Sequence, residues 1–459
     1  MTLSEKLADF VVATSYESLP PEVVACAKNL MLDTLAVAWA GTASNGSADM
    51  VAMIAEEGGR ADASVWGFGG RAPAAAAAFV NGVTAAALDY DSLHLSAMSH
   101  ASIVTLPAAF ALAEREHAGG RELITAFVVG NEIACRLALS TRAFSGWFYT
   151  SIHGVFGAAA TGAKLLRLDR NGVVNALGAA LSHVGGTQQA IIERSLTKRM
   201  QSAFAARNGV FAAQLAQRGV AAPREAFEGK FGFYAKYEPG DPAVVLDGLG
   251  TRFEVTRTML KKFPSCGCNH AAIEATLQLM RDHALDPRDV TAAEVTVSPF
   301  MARLVAAPYD PRDNPQIAAQ FSVQYSVASA VLRQRLGVRE IQPDAARDPA
   351  VMRFAQSVRV IVDESMTDAA SMASEVTLTT KAGVVRRRVG DLPGTPENPM
   401  SDADVRAKFL ECTALGVSPL SPAQASALAA RVAALEDTAD MSRFFSGMVG
   451  ASSPAQRSA

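Results

Sequence analysis

Residues 261–299, KKFPSCGCNHAAIEATLQLMRDHALDPRDVTAAEVTVSP, hold the change of texture that decides the fold. Residues 271–283 keep apolar side chains at three- and four-residue spacing, which predicts a helix. AAEVTVSP then alternates and carries β-branched residues, which predicts a strand. Further strand-like segments follow as SVRVIVDE, SEVTLTTKAG and VVRRRVGDL, with a strong helical pattern over residues 317–335 between them. Upstream of Pro264 the pattern is helical almost throughout. The reading is a mainly α protein: a large all-helical domain plus a smaller inserted α+β lid domain. Residues 1–265 form the first part of the helical domain and 266–400 the lid. Residues 401–459 are its return segment, reached through the linker GDLPGTPENPM and ending in a tail expected to be disordered from about residue 450.

Working back toward the N-terminus, Pro20-Pro21-Glu22 opens a helix correctly, because proline is tolerated in the first turn and an acid there complements the dipole. The helix continues as VVACAKNLMLDTLAVAWAG and stops at Gly41. Helical patterns also cover residues 107–118, 121–139, 157–166, 171–184 and 203–218. Several are rich in Ala and Gly on more than one face, as suits helices buried all round.

Of 459 residues, 49% are hydrophobic and 19% charged, enough for a large core in two domains. Formal charge is −3 with both signs scattered, which argues against a nucleic-acid partner. Five cysteines over the whole length suggest a reducing compartment and no disulfide framework. The first twenty residues mix acidic with apolar side chains and read as an amphipathic helix, not a signal peptide. The apolar run 74–88 is shorter than the roughly 20 residues a bilayer needs. A cytoplasmic protein with no membrane partner is expected.

Four segments carry candidate chemistry. In NGVTAAALDYDSLH, residues 81–94, an apolar helix gives way to Asp89, Asp91 and His94, with His100 close behind. A histidine beside a carboxylate suits proton transfer near neutral pH; a capped helix end with two exposed histidines is the plainer reading. A metal site lacks supporting spacing. In SLTKRMQSAFAARNG, Lys198, Arg199 and Arg207 surround a helix start, where free N–H groups favour anions. In KKFPSCGCNH, Lys261 and Lys262 precede Cys266, Cys268 and His270 at the domain border; a zinc site would lack a second cysteine pair, and an anion contact in an interdomain cleft is the better reading. In AQFSVQYSVA, Tyr325 could donate a proton, though an aromatic at helical spacing also suits a core.

In order, NGVTAAALDYDSLH, LPAAFALAE, GRELITAFVVGNEIACRLAL, HGVFGAAATGAKLL, TKRMQSAFAARNGVFAAQLAQRG, KKFPSCGCNHAAIEA and FSVQYSVA resemble the MmgE/PrpD family, which includes 2-methylcitrate dehydratase, cis-aconitate decarboxylase and iminodisuccinate epimerase. The resemblance implies a helical body made from both ends of the chain, an inserted lid, homodimers, and no metal or organic cofactor. It places the pocket between the domains, at Asp89, His100, Lys198, Lys261, Cys266 and Tyr325. The chain also departs from the pattern: Phe148 stands where relatives often carry His, DFDDT has become DYDSL with Leu93, and TKPMH has become TKRMQ with Arg199 and Gln201.

The expected function is a cofactor-independent lyase, dehydratase-like, removing a proton next to a carboxylate of a small di- or tricarboxylic acid. An epimerase or a decarboxylase begins from similar electrostatics, and a non-catalytic carboxylate-binding protein is the alternative of a different class. In this reading His100 is the acid or base, Asp89 tunes it and Tyr325 assists. Lys198, Lys261, Cys266 and Asp91 bind the polycarboxylate.

Overall fold

The structure is a computed structural model that describes residues 1–141, 143–311, 313–368 and 371–448. The expected tail beyond residue 448 lies outside them. The chain is mainly helical, with one four-stranded sheet.

The helical layer is built around Gly120–Leu139, Tyr149–Leu165 and Thr197–Gln217, which pack on one another and on Ala74–Ala86, Ser102–Arg115 and Arg170–Leu181. Small residues set these contacts. A Cβ on Gly130 would lie 1.9 Å from Thr161 Oγ1, and one on Gly157 would lie 2.6 Å from the Gly130 carbonyl oxygen. Only hydrogen fits at either place, so the two backbones approach more closely than larger side chains would allow. The helix Pro21–Gly41 is long and apolar enough to cross a bilayer by length and composition; here it is mostly buried, and its Asp33 pairs with Lys408 at 2.5 Å.

Two expected boundaries move. The helix read as 107–118 runs Ser102–Arg115 and contains Pro107 in its interior, so it begins directly after His100. The helix read as 317–335 is two, Pro315–Gln320 and Val323–Arg333. It breaks because the Ser322 hydroxyl accepts from the Tyr325 N–H and caps a new start. The freed Gln320 carbonyl accepts from the Cys266 N–H at 3.0 Å and the Ser265 hydroxyl at 2.9 Å. The break thus fastens this part of the chain to the 261–270 segment.

The sheet follows the sequence pattern closely. Its strands lie in the order Val358–Val362, Val290–Val297, Ser374–Thr380, Gly383–Val389. The first pair is parallel and the other two antiparallel. Ser374–Thr380 alternates buried and half-buried positions and packs on the helix His270–Asp282, while Val323–Arg333 packs on Val358–Val362 and Val290–Val297. These residues make a second apolar cluster beside that of the helical layer. From Ser401 the chain returns, and the helix Asp402–Thr413 packs on Pro21–Gly41.

Candidate active site

Residues 87–101 leave the helix Ala74–Ala86 without regular structure, yet most of them are buried. Leu93 and Met259 exchange backbone hydrogen bonds of 3.0 and 2.9 Å, which ties this segment to the approach of Lys261. Asp89 sits at φ 49°, a left-handed conformation that aspartate tolerates better than most residues.

The Asp89 carboxylate lies between two ammonium groups. Lys198 pairs with Oδ1; Lys261 donates to Oδ2 at 3.0 Å and to the Asp89 carbonyl oxygen at 2.7 Å. Burial favours the neutral acid, but the two lysines outweigh it and hold the Asp89 carboxyl far below the usual carboxylate range. Burial likewise works against the Lys261 charge, and Asp89 with Asp91 outweighs it and holds its ammonium above the ordinary value.

Asp91 points elsewhere. Its Oδ2 lies 2.8 Å from His100 Nδ1, which is also 3.1 Å from the Ser92 carbonyl oxygen. Both partners can only accept when Asp91 is ionised, so Nδ1 carries the proton and Nε2 presents a lone pair, or an N–H in the cation. Burial pushes the Asp91 carboxyl up, and His100 more than offsets this, so it too is held below the carboxylate range. The His100 N–H is fixed by Thr150 Oγ1 at 3.0 Å.

A small cavity of about 80 Å³ opens onto His100, Lys198, Asp89 and Cys266, between the two apolar clusters. Phe148 and Leu93 form part of its wall, with Phe321 delivered by the helix break described above. The Lys198 ammonium stands 5.1 Å from the Phe321 ring centre and 5.9 Å from that of Phe148. The neighbouring Cys268 holds the Cys266 thiol below its ordinary value against burial, while the Cys268 thiol lies 3.7 Å from the Met372 sulfur. Two larger surface depressions, one around Arg121 and one around Arg406, lie apart from these groups.

Four expected residues therefore share the cavity: Asp89, His100, Lys198 and Cys266. Four expected roles do not match the geometry. Asp91, not Asp89, holds His100, because the left-handed turn at residue 89 sends the two carboxylates to different partners. Lys261 is wholly buried, pairs with Asp89 and does not line the cavity; Asp91 is likewise absent from the lining and contacts the imidazole of His100. Tyr325 is not at the cavity. Its hydroxyl donates to the Glu340 carbonyl oxygen and accepts from Arg333 Nη1 at 3.1 Å, its ring packs on Tyr309, and burial pushes its hydroxyl up to about 12. The Gln201 side chain accepts from the Thr187 N–H at 2.5 Å, and Arg199 bonds the Asn45 carbonyl oxygen and Gln316, so neither departure reaches the wall.

No motif in the sequence pointed to Lys408. From the returning helix it donates to the carbonyl oxygens of Tyr90 and Lys261, both at 2.9 Å, beside its pair with Asp33. One buried ammonium thus pins the backbone next to Asp89 and at Lys261 together. Among the described residues no cluster of three or more His, Cys, Asp or Glu side chains could hold a metal ion.

The chain is thus a mainly helical protein with a sheet layer, an oriented imidazole and a lysine–carboxylate pair meeting at a small cavity. Family models narrow it further: the MmgE/PrpD N-terminal domain matches residues 5–245 and the C-terminal domain residues 263–435. The chain belongs to the MmgE/PrpD family. Among its curated relatives is the cis-aconitate decarboxylase-like protein oryM of Aspergillus oryzae, 26% identical over 98% of this chain and 97% of that one. The cis-aconitate decarboxylase of Aspergillus terreus is 30% identical over 70% of this chain and 69% of its own. That of Homo sapiens is 26% identical over 89% and 87%. By those names the relatives are lyases.

Proposed function

We propose that this protein is a lyase that removes CO₂ from a small unsaturated di- or tricarboxylic acid, with His100 as the proton carrier. The observation that carries the reading is the His100 ring, held through Nδ1 by Asp91 and Ser92 at the wall of the cavity that also holds Lys198. The decarboxylase names of the relatives support this choice over the dehydratase expected from the sequence.

In the proposed reaction the bond between carbon and the departing carboxylate breaks and CO₂ leaves. The electron pair passes through the double bond toward a second carboxylate, whose charge Lys198 offsets. The imidazolium Nε2–H of His100 then protonates the carbon, and a proton from solvent restores it. Asp91 stabilises the cation between these steps. The largely apolar wall supports the first step, since a carboxylate is costly to keep there and a departing neutral molecule is not.

The test is incubation with cis-aconitate, citrate, 2-methylcitrate and iminodisuccinate in D₂O, followed by proton NMR and CO₂ release. Stoichiometric CO₂ with one solvent deuteron in the product is the expected result. A new alkene without CO₂ would make the protein a dehydratase, and deuterium exchange without net conversion an epimerase. Binding with none of these would make it a carboxylate-binding protein.

A further inference from the structure

We infer that the acid this pocket takes carries a hydrocarbon arm where a tricarboxylic acid would carry its third carboxylate. The inference rests on the lyase reading for the identity of the site, and it concerns what fills the rest of the cavity.

Eighteen described residues line the cavity, and six of them are aromatic: Phe144, Trp147, Phe148, Tyr149, Phe300 and Phe321. Aromatic residues make up only 7% of the chain, so a third of the wall is well beyond chance. Leucine, isoleucine and methionine side chains supply five more positions. The polar groups are few: Asp89 and His100 come from the 87–101 segment, Lys198 from the first turn of Thr197–Gln217, the two cysteines from the turn just before His270–Asp282, and Gln188 from the segment before Thr197–Gln217. Leu93 and Met98 share the 87–101 segment with Asp89 and His100, but most apolar groups come from other elements, including Pro299–Val305 and the residues just before Tyr149–Leu165.

Charge points the same way. Among the described lining residues only Lys198 and His100 can bring positive charge, and Lys198 already pairs with Asp89. Two carboxylates of a ligand can lie near these groups and the adjoining N–H donors. A third, directed away from them, would face mainly phenyl rings and aliphatic chains, with only Gln188 and the Tyr149 hydroxyl as further side-chain polar groups to replace its water. A branched alkyl group of the same size meets that wall favourably.

The experiment uses a shape-matched pair. In 2-isobutylsuccinate an isopropyl group stands where tricarballylate has a carboxylate, three heavy atoms for three, and neither acid has a double bond to react. Calorimetric titration of the full chain should show isobutylsuccinate binding at least about tenfold more tightly than tricarballylate. Phe148→Gln and Phe300→Gln, on separate elements of the wall, should each reduce that ratio at least about threefold; circular dichroism confirms that each is folded, and Phe300 is the less buried of the two. Equal or tighter binding of tricarballylate overturns the inference. So does a ratio that neither folded variant changes, or binding of neither acid at about 10 mM. The lyase reading fails separately. A protein that prefers isobutylsuccinate but neither decarboxylates nor exchanges protons with any acid keeps the hydrocarbon arm and loses the chemistry, whereas turnover of cis-aconitate with a preference for tricarballylate does the reverse.

Discussion

Asp91→Asn isolates the contact on which the proposed chemistry depends, because it keeps the shape of the side chain and removes its charge. In the native site His100 Nδ1 lies 2.8 Å from Asp91 Oδ2 and 3.1 Å from the Ser92 carbonyl oxygen. When the imidazole gains a proton, a carboxylate and a cation whose charge centres are about 4 Å apart interact by roughly 4 kcal/mol at an effective dielectric constant near 20. The asparagine carbonyl retains part of this as a neutral hydrogen bond, so the net loss is about 2–4 kcal/mol. At about 1.4 kcal/mol per decade, kcat for CO₂ release should fall roughly 30- to 1000-fold. A second effect adds to it: the asparagine amide can donate to Nδ1 and move the neutral ring's proton to Nε2, where the cavity then meets an N–H in place of a lone pair. The ¹⁵N shifts of the ring report this directly, and seven histidines in the chain keep the spectrum tractable. The thermal midpoint should change little, because Ser92 and Thr150 still hold residue 100. A kcat within about threefold of the native value would refute the role given to Asp91; so would an unchanged rate accompanied by an altered tautomer.

Asp89→Asn should act on stability instead, costing about 3–5 kcal/mol in denaturant unfolding because Lys198 and the wholly buried Lys261 lose their counter-charge; an unfolding midpoint equal to the native one would contradict it. Tyr325→Phe should leave kcat within about twofold while lowering stability by about 1–2 kcal/mol through the unpaired Glu340 carbonyl oxygen, and a large loss of turnover at unchanged stability would return the tyrosine to the mechanism. Burial lowers His153 and His270 to about 3 from an ordinary value of 6.5. The unfolded chain therefore binds these protons first: their contribution is complete above pH 6.5 and falls by about 1.4 kcal/mol per pH unit for each ring as pH drops toward 3. The variant His153→Asn should flatten that slope by one proton, and parallel native and variant curves between pH 6 and 4.5 would exclude it. Gly130→Ala must displace Thr161 Oγ1 from 1.9 Å and should cost about 1–3 kcal/mol or more; a native thermal midpoint would show the helix pair to be more yielding than its contacts indicate.

Legibility differed between sheet and site for a physical reason. The four strands were readable because alternation and β-branching act within the segment that carries them; Val358–Val362 and Ser374–Thr380 lie inside the quoted stretches, whereas Val290–Val297 and Gly383–Val389 begin two residues and one residue before theirs. The helix Ser102–Arg115 was read too short because Pro107 is an obstacle only to local hydrogen bonding, and packing against Ala74–Ala86 and Tyr149–Leu165 keeps the turns before it helical. The break at Phe321 and Ser322 was hidden because serine is tolerated inside helices as well as at their starts. What selected the break is the demand of Ser265, Cys266 and Asn269 for the Gln320 carbonyl oxygen, 51 to 55 residues away in sequence.

The amino-acid sequence alone determined the mainly helical class, the strands, the family, and the presence of Asp89, His100, Lys198 and Cys266 in one pocket, since these rest on local periodicity and on motifs in order. Tertiary structure alone decided which carboxylate serves which partner. Asp89 and Asp91 are two residues apart and chemically identical, so nothing local distinguishes them. One left-handed backbone angle, two buried lysines and a third at position 408 send Asp89 to the ammonium groups and leave Asp91 for the imidazole. Coulomb interactions among buried charges depend on separation in space, and that separation is a property of the folded chain.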